Sequence, residues 1–188
     1  MSETEAQLVE RCLSGEESAL AEFVQQYQAL VFGLCFRMLQ HRQDAEDVAQ
    51  EIFLRAFRAL NRWDPTRPIR PWLMKIAANR CRTALQVRGR KKTVPLPPEQ
   101  SENTTSDLQS AADLAEELQQ ALATLREDYR LCFLLYHHQE LSVAEISDVL
   151  DCPEGTIKTW LHRARRLLAD RLSRRGVTPD AERALQGI

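Results

Sequence analysis

An all-α fold of two small helical bundles joined by a flexible linker is predicted by three features of this 188-residue sequence. Apolar residues recur at three- and four-residue steps along most of its length, the spacing of helices that bury one face. Glycine is scarce at six, and the eight prolines gather in a few places, so long uninterrupted helices are possible. Between Lys91 and Ser110 the composition turns polar and proline-rich, which splits the helical pattern in two.

The first helix is expected over residues 17–39, where Phe23, Tyr27, Leu30, Val31 and Leu34 form one apolar stripe. A polar break at 40–43 follows. Asp44 then reads as the N-cap of a second helix, with Asp47 in its first turn, where the helix dipole favours a carboxylate. Val48, Ile52, Phe53, Ala56, Phe57 and Leu60 supply the buried side. The Asp64-Pro65-Thr66-Arg67-Pro68 segment breaks the pattern, because proline lacks a backbone donor and restrains its predecessor. Pro71 suits the first turn of a third helix reaching about Arg88, with Gly89 as its stop.

Pro95, Pro97 and Pro98 lead into a polar run at 100–106 with little to bury, the linker. Helical spacing resumes at Leu114, Leu118, Ala121, Leu122 and Leu125, and a further helix covers 127–137, burying Leu131, Leu134 and Leu135. Ser142 with Glu145 forms a capping box that opens a short helix through Ile146 and Leu150. Asp151-Cys152-Pro153 turns the chain into a basic helix from Glu154 to about Leu172, and the tail beyond Gly176 is expected to fray. The division is therefore 1–92, linker 93–111, 112–175 and a disordered tail 176–188.

With 44% hydrophobic and 28% charged residues the chain should be globular. No apolar run approaches the roughly 18 residues of a membrane span, and Glu3 and Glu5 stand where a secretory signal would be basic, so a cytoplasmic protein without membrane insertion is expected. Five widely spaced cysteines include no CxxC pair, and the four histidines complete no zinc-finger spacing, so core packing is favoured over a metal or disulfide. Cys132 with His137 or His138 is the one pairing worth checking. No cofactor is implied. No nucleophile, phosphate loop or metal triad supports catalysis; Asp47 and Glu51 share a face at four-residue spacing, as an acidic helix start commonly does for its dipole.

The net charge of −2 hides a strong pattern. Acidic residues crowd 3–22 and 99–128, whereas basic ones gather at 80–92 and 158–175. Two basic stretches imply two DNA contacts on a protein that needs help to bind, since neutralising phosphates supplies most of a DNA binder's affinity.

A short helix, a tight turn and a longer basic helix form a helix-turn-helix. On the last helix Ile157, Trp160, Leu161, Ala164, Leu168 and Leu172 should dock inward. Lys158, Thr159, His162, Arg163 and Arg166 face outward with Arg165 at their flank, and these groups suit guanine edges and phosphates. Thr156 stands at the helix start, where free backbone donors attract phosphate. The turn lacks a glycine, so Asp151 must adopt its geometry. On the third helix Leu73, Ala77, Cys81, Ala84 and Leu85 lie on one side and Lys75, Asn79, Arg82 and Gln86 on the other. Cations beside amides suit single-stranded nucleic acid. Trp72, at the border, is expected to pack in the core.

Together these segments resemble a bacterial sigma factor of the extracytoplasmic-function group, which keeps only regions 2 and 4 of the sigma-70 family. The likeness lies in Asp44-Ala45-Glu46-Asp47-Val48-Ala49-Gln50-Glu51-Ile52-Phe53-Leu54-Arg55-Ala56-Phe57, in Trp72-Leu73-Met74-Lys75-Ile76-Ala77-Ala78-Asn79, and in Leu141-Ser142-Val143-Ala144-Glu145-Ile146 with Asp151-Cys152-Pro153-Glu154-Gly155-Thr156-Ile157-Lys158. The resemblance implies that Asp47, Gln50, Glu51 and Arg55 face the β′ clamp helices of core RNA polymerase, with the β subunit a further contact. It implies that Asn79 holds a base flipped from the −10 strand, with the 64–70 loop helping to form the pocket. Lys158, Thr159, His162 and Arg163 would read the −35 element, and the linker would thread through the polymerase. An anti-sigma partner is also implied. The competing reading from the residues alone is a stand-alone helix-turn-helix regulator, which would bind its operator without polymerase.

Overall fold

A computed structural model describes residues 4–91 and 117–174, and all regular structure among them is helical. Helix α1 spans Glu5–Leu13, α2 Glu17–Leu39, α3 Arg42–Ala59 and α4 Ile69–Lys91, with a 3-10 turn at Leu60–Arg62. Helix α5 covers residues 117–123, followed by α6 Glu127–His137, α7 Val143–Leu150 and α8 Glu154–Arg174. The expected 93–111 linker and 176–188 tail lie outside the described residues.

Helix α1 was not expected. Thr4 and Gln7 open it with a reciprocal capping box, Leu8, Val9 and Cys12 bury its inner side, and Gly15 turns the chain at φ 83° into α2. Helix α2 takes the anticipated bounds. Its core partners are Phe23, Val31, Leu34 and Met38, which meet Ile52 and Phe53 of α3 and Leu73 and Met74 of α4. Phe23 sits among the rings of Tyr27, Phe57 and Phe53 at 4.8, 5.5 and 6.4 Å.

The end of α2 is secured from three directions. Helix termini leave their last four carbonyls without intrahelical partners. Here Phe36 O accepts the amide of Gln40 (2.8 Å), Arg37 O the side-chain amide of Gln40 (3.1 Å), Met38 O a guanidinium N–H of Arg130 (2.9 Å) and Leu39 O one of Arg88 (2.8 Å). Gln40 adopts the left-handed conformation, φ 59°, that such helix ends use.

Two expected helix ends differ from the structure. Asp44 is not the N-cap of α3: His41 takes that place, and its ring Nδ1 accepts the Asp44 amide at 3.2 Å. Gly89 does not stop α4, which runs on to Lys91. Glycine costs a helix only about 1 kcal/mol relative to alanine, too little to end one already anchored along its length.

In the C-terminal half, Leu131, Leu134 and Leu135 of α6, Ile146 of α7, and Ile157, Leu161, Ala164 and Leu168 of α8 form the core. The Ser142–Glu145 capping box is present, and Asp151 takes a left-handed φ of 56° to turn α7 into α8. The Ser147 hydroxyl closes that turn by donating to Cys152 O at 2.5 Å. Cys12, Cys35, Cys81 and Cys132 are buried and Cys152 is half-buried. The Cys132 thiol points at Ile157 O (3.7 Å), and burial pushes its pKa up to about 12. His137 instead packs against Phe133 and accepts from Arg165 at 3.2 Å; burial first, then Arg165, lowers its pKa to about 4.

The two halves touch. Arg130 of α6 reaches Met38 O, and Gln139, almost fully buried, donates to Leu30 O at 3.2 Å. Helix α7 lies along α4. Among the described residues no helix is long and apolar enough to cross a membrane, and no group of His, Cys, Asp or Glu could hold a metal ion.

Candidate nucleic-acid and polymerase interfaces

The outer face of α8 is set by what its inner face buries. With Ile157, Leu161, Ala164 and Leu168 turned inward, the helical period leaves Lys158, Thr159, His162, Arg163 and Arg166 exposed. Lys158 pairs weakly with Glu154 one turn back at 3.4 Å. The Thr159 hydroxyl donates to Gly155 O at 2.8 Å, which leaves its lone pairs free to accept. Arg163 is steadied by an N–H donated to the hydroxyl of Tyr129 at 3.0 Å. Tyr129 comes from α6 and is nearly buried against Trp160, so sequence spacing gave no sign of this support.

One expectation on this helix changes: the Thr156 amide is not free for phosphate, because it already donates to Pro153 O at 2.8 Å within the first turn. Arg165 lies half-buried at the flank, its guanidinium 5.2 Å over the ring of Tyr136 and bonded to His137.

On α4, Asn79 and Gln86 are exposed at the expected side, with Lys75 beside them and Arg82 half-buried. Leu73, Ala77 and Cys81 are buried on the opposite side. Trp72 is half-buried: it packs on the core and also lines a cavity of about 720 Å³ with Trp63, Pro68, Pro71 and Lys75.

The loop before α4 is pinned locally and from a distance. The Asp64 carboxylate accepts the Thr66 amide (2.9 Å) and hydroxyl (2.7 Å), and these bonds hold its pKa below the usual range. At the helix start, which has no acidic residue in its own first turn, Ile69 donates its amide to the Glu5 carboxylate of α1 at 3.1 Å. Tyr27 donates its hydroxyl to the other Glu5 oxygen at 3.2 Å. Glu5 therefore positions the loop and the first turn of α4. The capping box at Thr4 and Gln7 was the signal that could have revealed this helix.

Helix α3 presents Asp47, Gln50 and Arg55 to solvent. Glu51 is half-buried and bound to Arg80 of α4, with Arg55 at 3.9 Å, so it ties α3 to α4. Leu54, which lies in the same sequence motif but was given no role of its own, is a large apolar side chain left 55% exposed on the same face. Beside it runs a groove of about 480 Å³ lined by Val24, Phe32, Phe53, Glu46 and Gln50, with Phe32 stacked on Phe36 at 5.9 Å.

Known families match both halves. The one described as "Sigma-70 region 2" matches residues 23–91, and "Sigma-70, region 4" matches residues 115–168. The chain is similar to the ECF RNA polymerase sigma factor SigW of Bacillus subtilis (strain 168), 33% identical over 178 residues, covering 87% of this chain and 94% of the relative. It is also similar to the RNA polymerase sigma-H factor of Pseudomonas aeruginosa, 33% identical over 180 residues, covering 87% and 91% respectively. Its fold is similar to that of a solved structure, the sigma factor RpoE in complex with the anti-sigma factor NepR from Bartonella quintana. The TM-score is 0.66 at 21% identity, covering 81% of this chain and 96% of that one.

Proposed function

As this chain belongs to the extracytoplasmic-function group of the sigma-70 family, we propose that it is a promoter-specificity subunit that binds core RNA polymerase and directs transcription initiation. One observation carries the assignment of roles: α4 presents Lys75 with the amides of Asn79 and Gln86 outward, and α8 presents the cations Lys158, Arg163 and Arg166 with Thr159 and His162, each on a segment matched to a different sigma region. Lys158, Thr159, His162, Arg163 and Arg166 read duplex −35 DNA in the major groove. Lys75, Asn79, Arg82 and Gln86 hold the melted −10 strand, with Asn79 taking an unstacked base and the 64–70 loop helping to form its pocket. Capturing that base offsets part of the few kcal/mol that unstacking costs.

Asp47, Gln50, Arg55 and Leu54 meet the polymerase clamp, while Glu51 holds that face in place. The segments 1–92 and 112–175 act as the two reading modules, and 93–111 as the connection between them. The role is recognition without catalysis, in the cytoplasm, and an anti-sigma protein is the expected regulator. The anti-sigma complex of a fold relative supports that last point.

Transcription reconstituted from purified core polymerase, this chain and a genomic promoter library tests the assignment, with specific transcripts expected only when the chain is added. Nanomolar promoter binding by the chain alone at physiological salt, with no stimulation of polymerase, would favour a stand-alone regulator. Arg163→Ala is expected to cost about 1–3 kcal/mol of promoter affinity in the holoenzyme and to relax preference at one −35 position. Equal losses on every promoter would make Arg163 a phosphate clamp. Leu54→Glu should leave thermal stability within about 0.5 kcal/mol, since the side chain is already exposed. It should weaken core binding about tenfold or more, as measured by competition for polymerase. Unchanged core affinity would move the clamp contact off this face.

A further inference from the structure

Reading a base edge asks more of an arginine than contacting a phosphate does. A phosphate accepts a guanidinium from many directions, whereas the paired acceptors of guanine, O6 and N7, fit a planar fork in a narrow range of orientations. An exposed arginine samples many rotamers, so holding that orientation costs side-chain entropy unless something fixes it beforehand. On the outer face of α8, Lys158 and Thr159 bond back into their own helix, to Glu154 at 3.4 Å and to Gly155 O at 2.8 Å. Arg163 is exposed yet tied to a different helix: its Nη1 donates to Tyr129 Oη of α6 at 3.0 Å.

Tyr129 is itself held from several sides. It is 8% exposed, and its ring centroid lies 6.4 Å from that of Trp160. The Arg126 guanidinium sits 5.3 Å over the same ring and is held in turn by the Asp128 carboxylate at 3.1 Å. Contact with a cation and a second ring favours one placement of an aromatic side chain. The hydroxyl is therefore a fixed point to which Arg163 is fastened.

We propose that Tyr129 is a positioning residue for promoter recognition, whose hydroxyl holds Arg163 in the orientation that reads one base pair of the −35 element and so sets discrimination at that position. The proposal rests on the −35 role given to α8 and adds to it a residue from outside the helix-turn-helix. The bond uses Nη1, which leaves the Nε–Nη2 edge available as a donor fork. Tyr129 acts without touching DNA. A residue that only packed would lower affinity for all promoters alike, whereas a positioning hydroxyl alters the choice of base at one position.

The test measures binding of reconstituted holoenzyme to a promoter selected by the parent, with each −35 base pair substituted in turn. Tyr129→Phe keeps the ring and removes the hydroxyl. It should cut discrimination at a single base pair about fivefold, the size of one lost hydrogen bond. The salt dependence of binding should stay unchanged, since no phosphate contact is lost. The affected base pair should be the one at which Arg163→Ala relaxes preference, and Tyr129→Phe added to Arg163→Ala should change nothing further. Tyr129→Leu, which packs less well, should melt earlier and lose the same discrimination at the same position.

Full discrimination in Tyr129→Phe or Tyr129→Leu would overturn the proposal, as would a loss spread evenly over the −35 positions. So would an effect of Tyr129→Phe that is as large without Arg163 as with it. These failures leave the sigma assignment standing when Arg163→Ala still relaxes one position. Equal weakening of every sequence by Arg163→Ala removes its base-reading role and this proposal together. A parent holoenzyme that selects no −35 sequence would instead sink the sigma assignment, on which the proposal depends.

Discussion

Phe23→Ala is expected to destabilise the N-terminal half by about 3–5 kcal/mol, the cost of truncating a fully buried aromatic. Phe23 has no exposed surface, and its neighbours Tyr27, Phe53 and Phe57 come from its own helix and from α3. An alanine there leaves a void that rigid helices fill only in part, so the lost transfer and the cavity both count. The effect should reach function, because Phe53 and Phe57 hold the inner side of the helix whose outer side carries Asp47, Gln50 and Leu54. Urea unfolding followed by near-UV circular dichroism would show the lower midpoint, with core-polymerase affinity falling in parallel. A loss under about 1 kcal/mol would mean that the aromatic cluster repacks around the gap.

Arg130→Ala is the second large expectation, at about 2–4 kcal/mol. Arg130 as a whole is 9% exposed, and its guanidinium donates to Met38 O at 2.9 Å, Ala123 O at 3.2 Å and Leu125 O at 3.3 Å. Burial lowers its pKa, and Glu127 opposes that shift. It is a cation set at the end of α2 and beside the end of α5, where the helix dipoles favour positive charge. Truncation strands buried carbonyls, whereas Arg130→Lys keeps the charge and loses the forked geometry. Thermal melts should rank parent, lysine and alanine in that order. Alanine matching the parent would show that water replaces the guanidinium without cost.

The helices with long apolar stripes were legible from sequence. The bounds expected for α2 and α6 are those found, because Phe23, Tyr27, Val31 and Leu34, or Leu131, Leu134 and Leu135, leave only one way to bury a face. The Ser142–Glu145 box and the left-handed Asp151 were equally readable, since each is a local device with fixed spacing. The outward faces of α4 and α8 followed from the same periodicity. Helix α1 was missed because Leu8, Val9 and Cys12 make a short stripe among acidic residues, and α1 becomes worth forming only once it rests on the bundle.

What no local pattern encodes is pairing between segments far apart in the chain. Tyr129 beneath Arg163, Glu5 at the start of α4, Glu51 on Arg80, and the seating of α7 along α4 all depend on how finished helices pack.

The end of α2 also constrains how this sequence can change over generations. Its loose acceptors draw donors from Gln40, Arg88 and Arg130, positions that lie far apart in the chain yet share one turn of helix. Once one donor is lost and that turn unwinds, losing a second removes bonds already weakened, so the costs should not add. Those positions are therefore epistatic. A substitution harmful at one of them in this background can be nearly silent in a descendant that has already lost another.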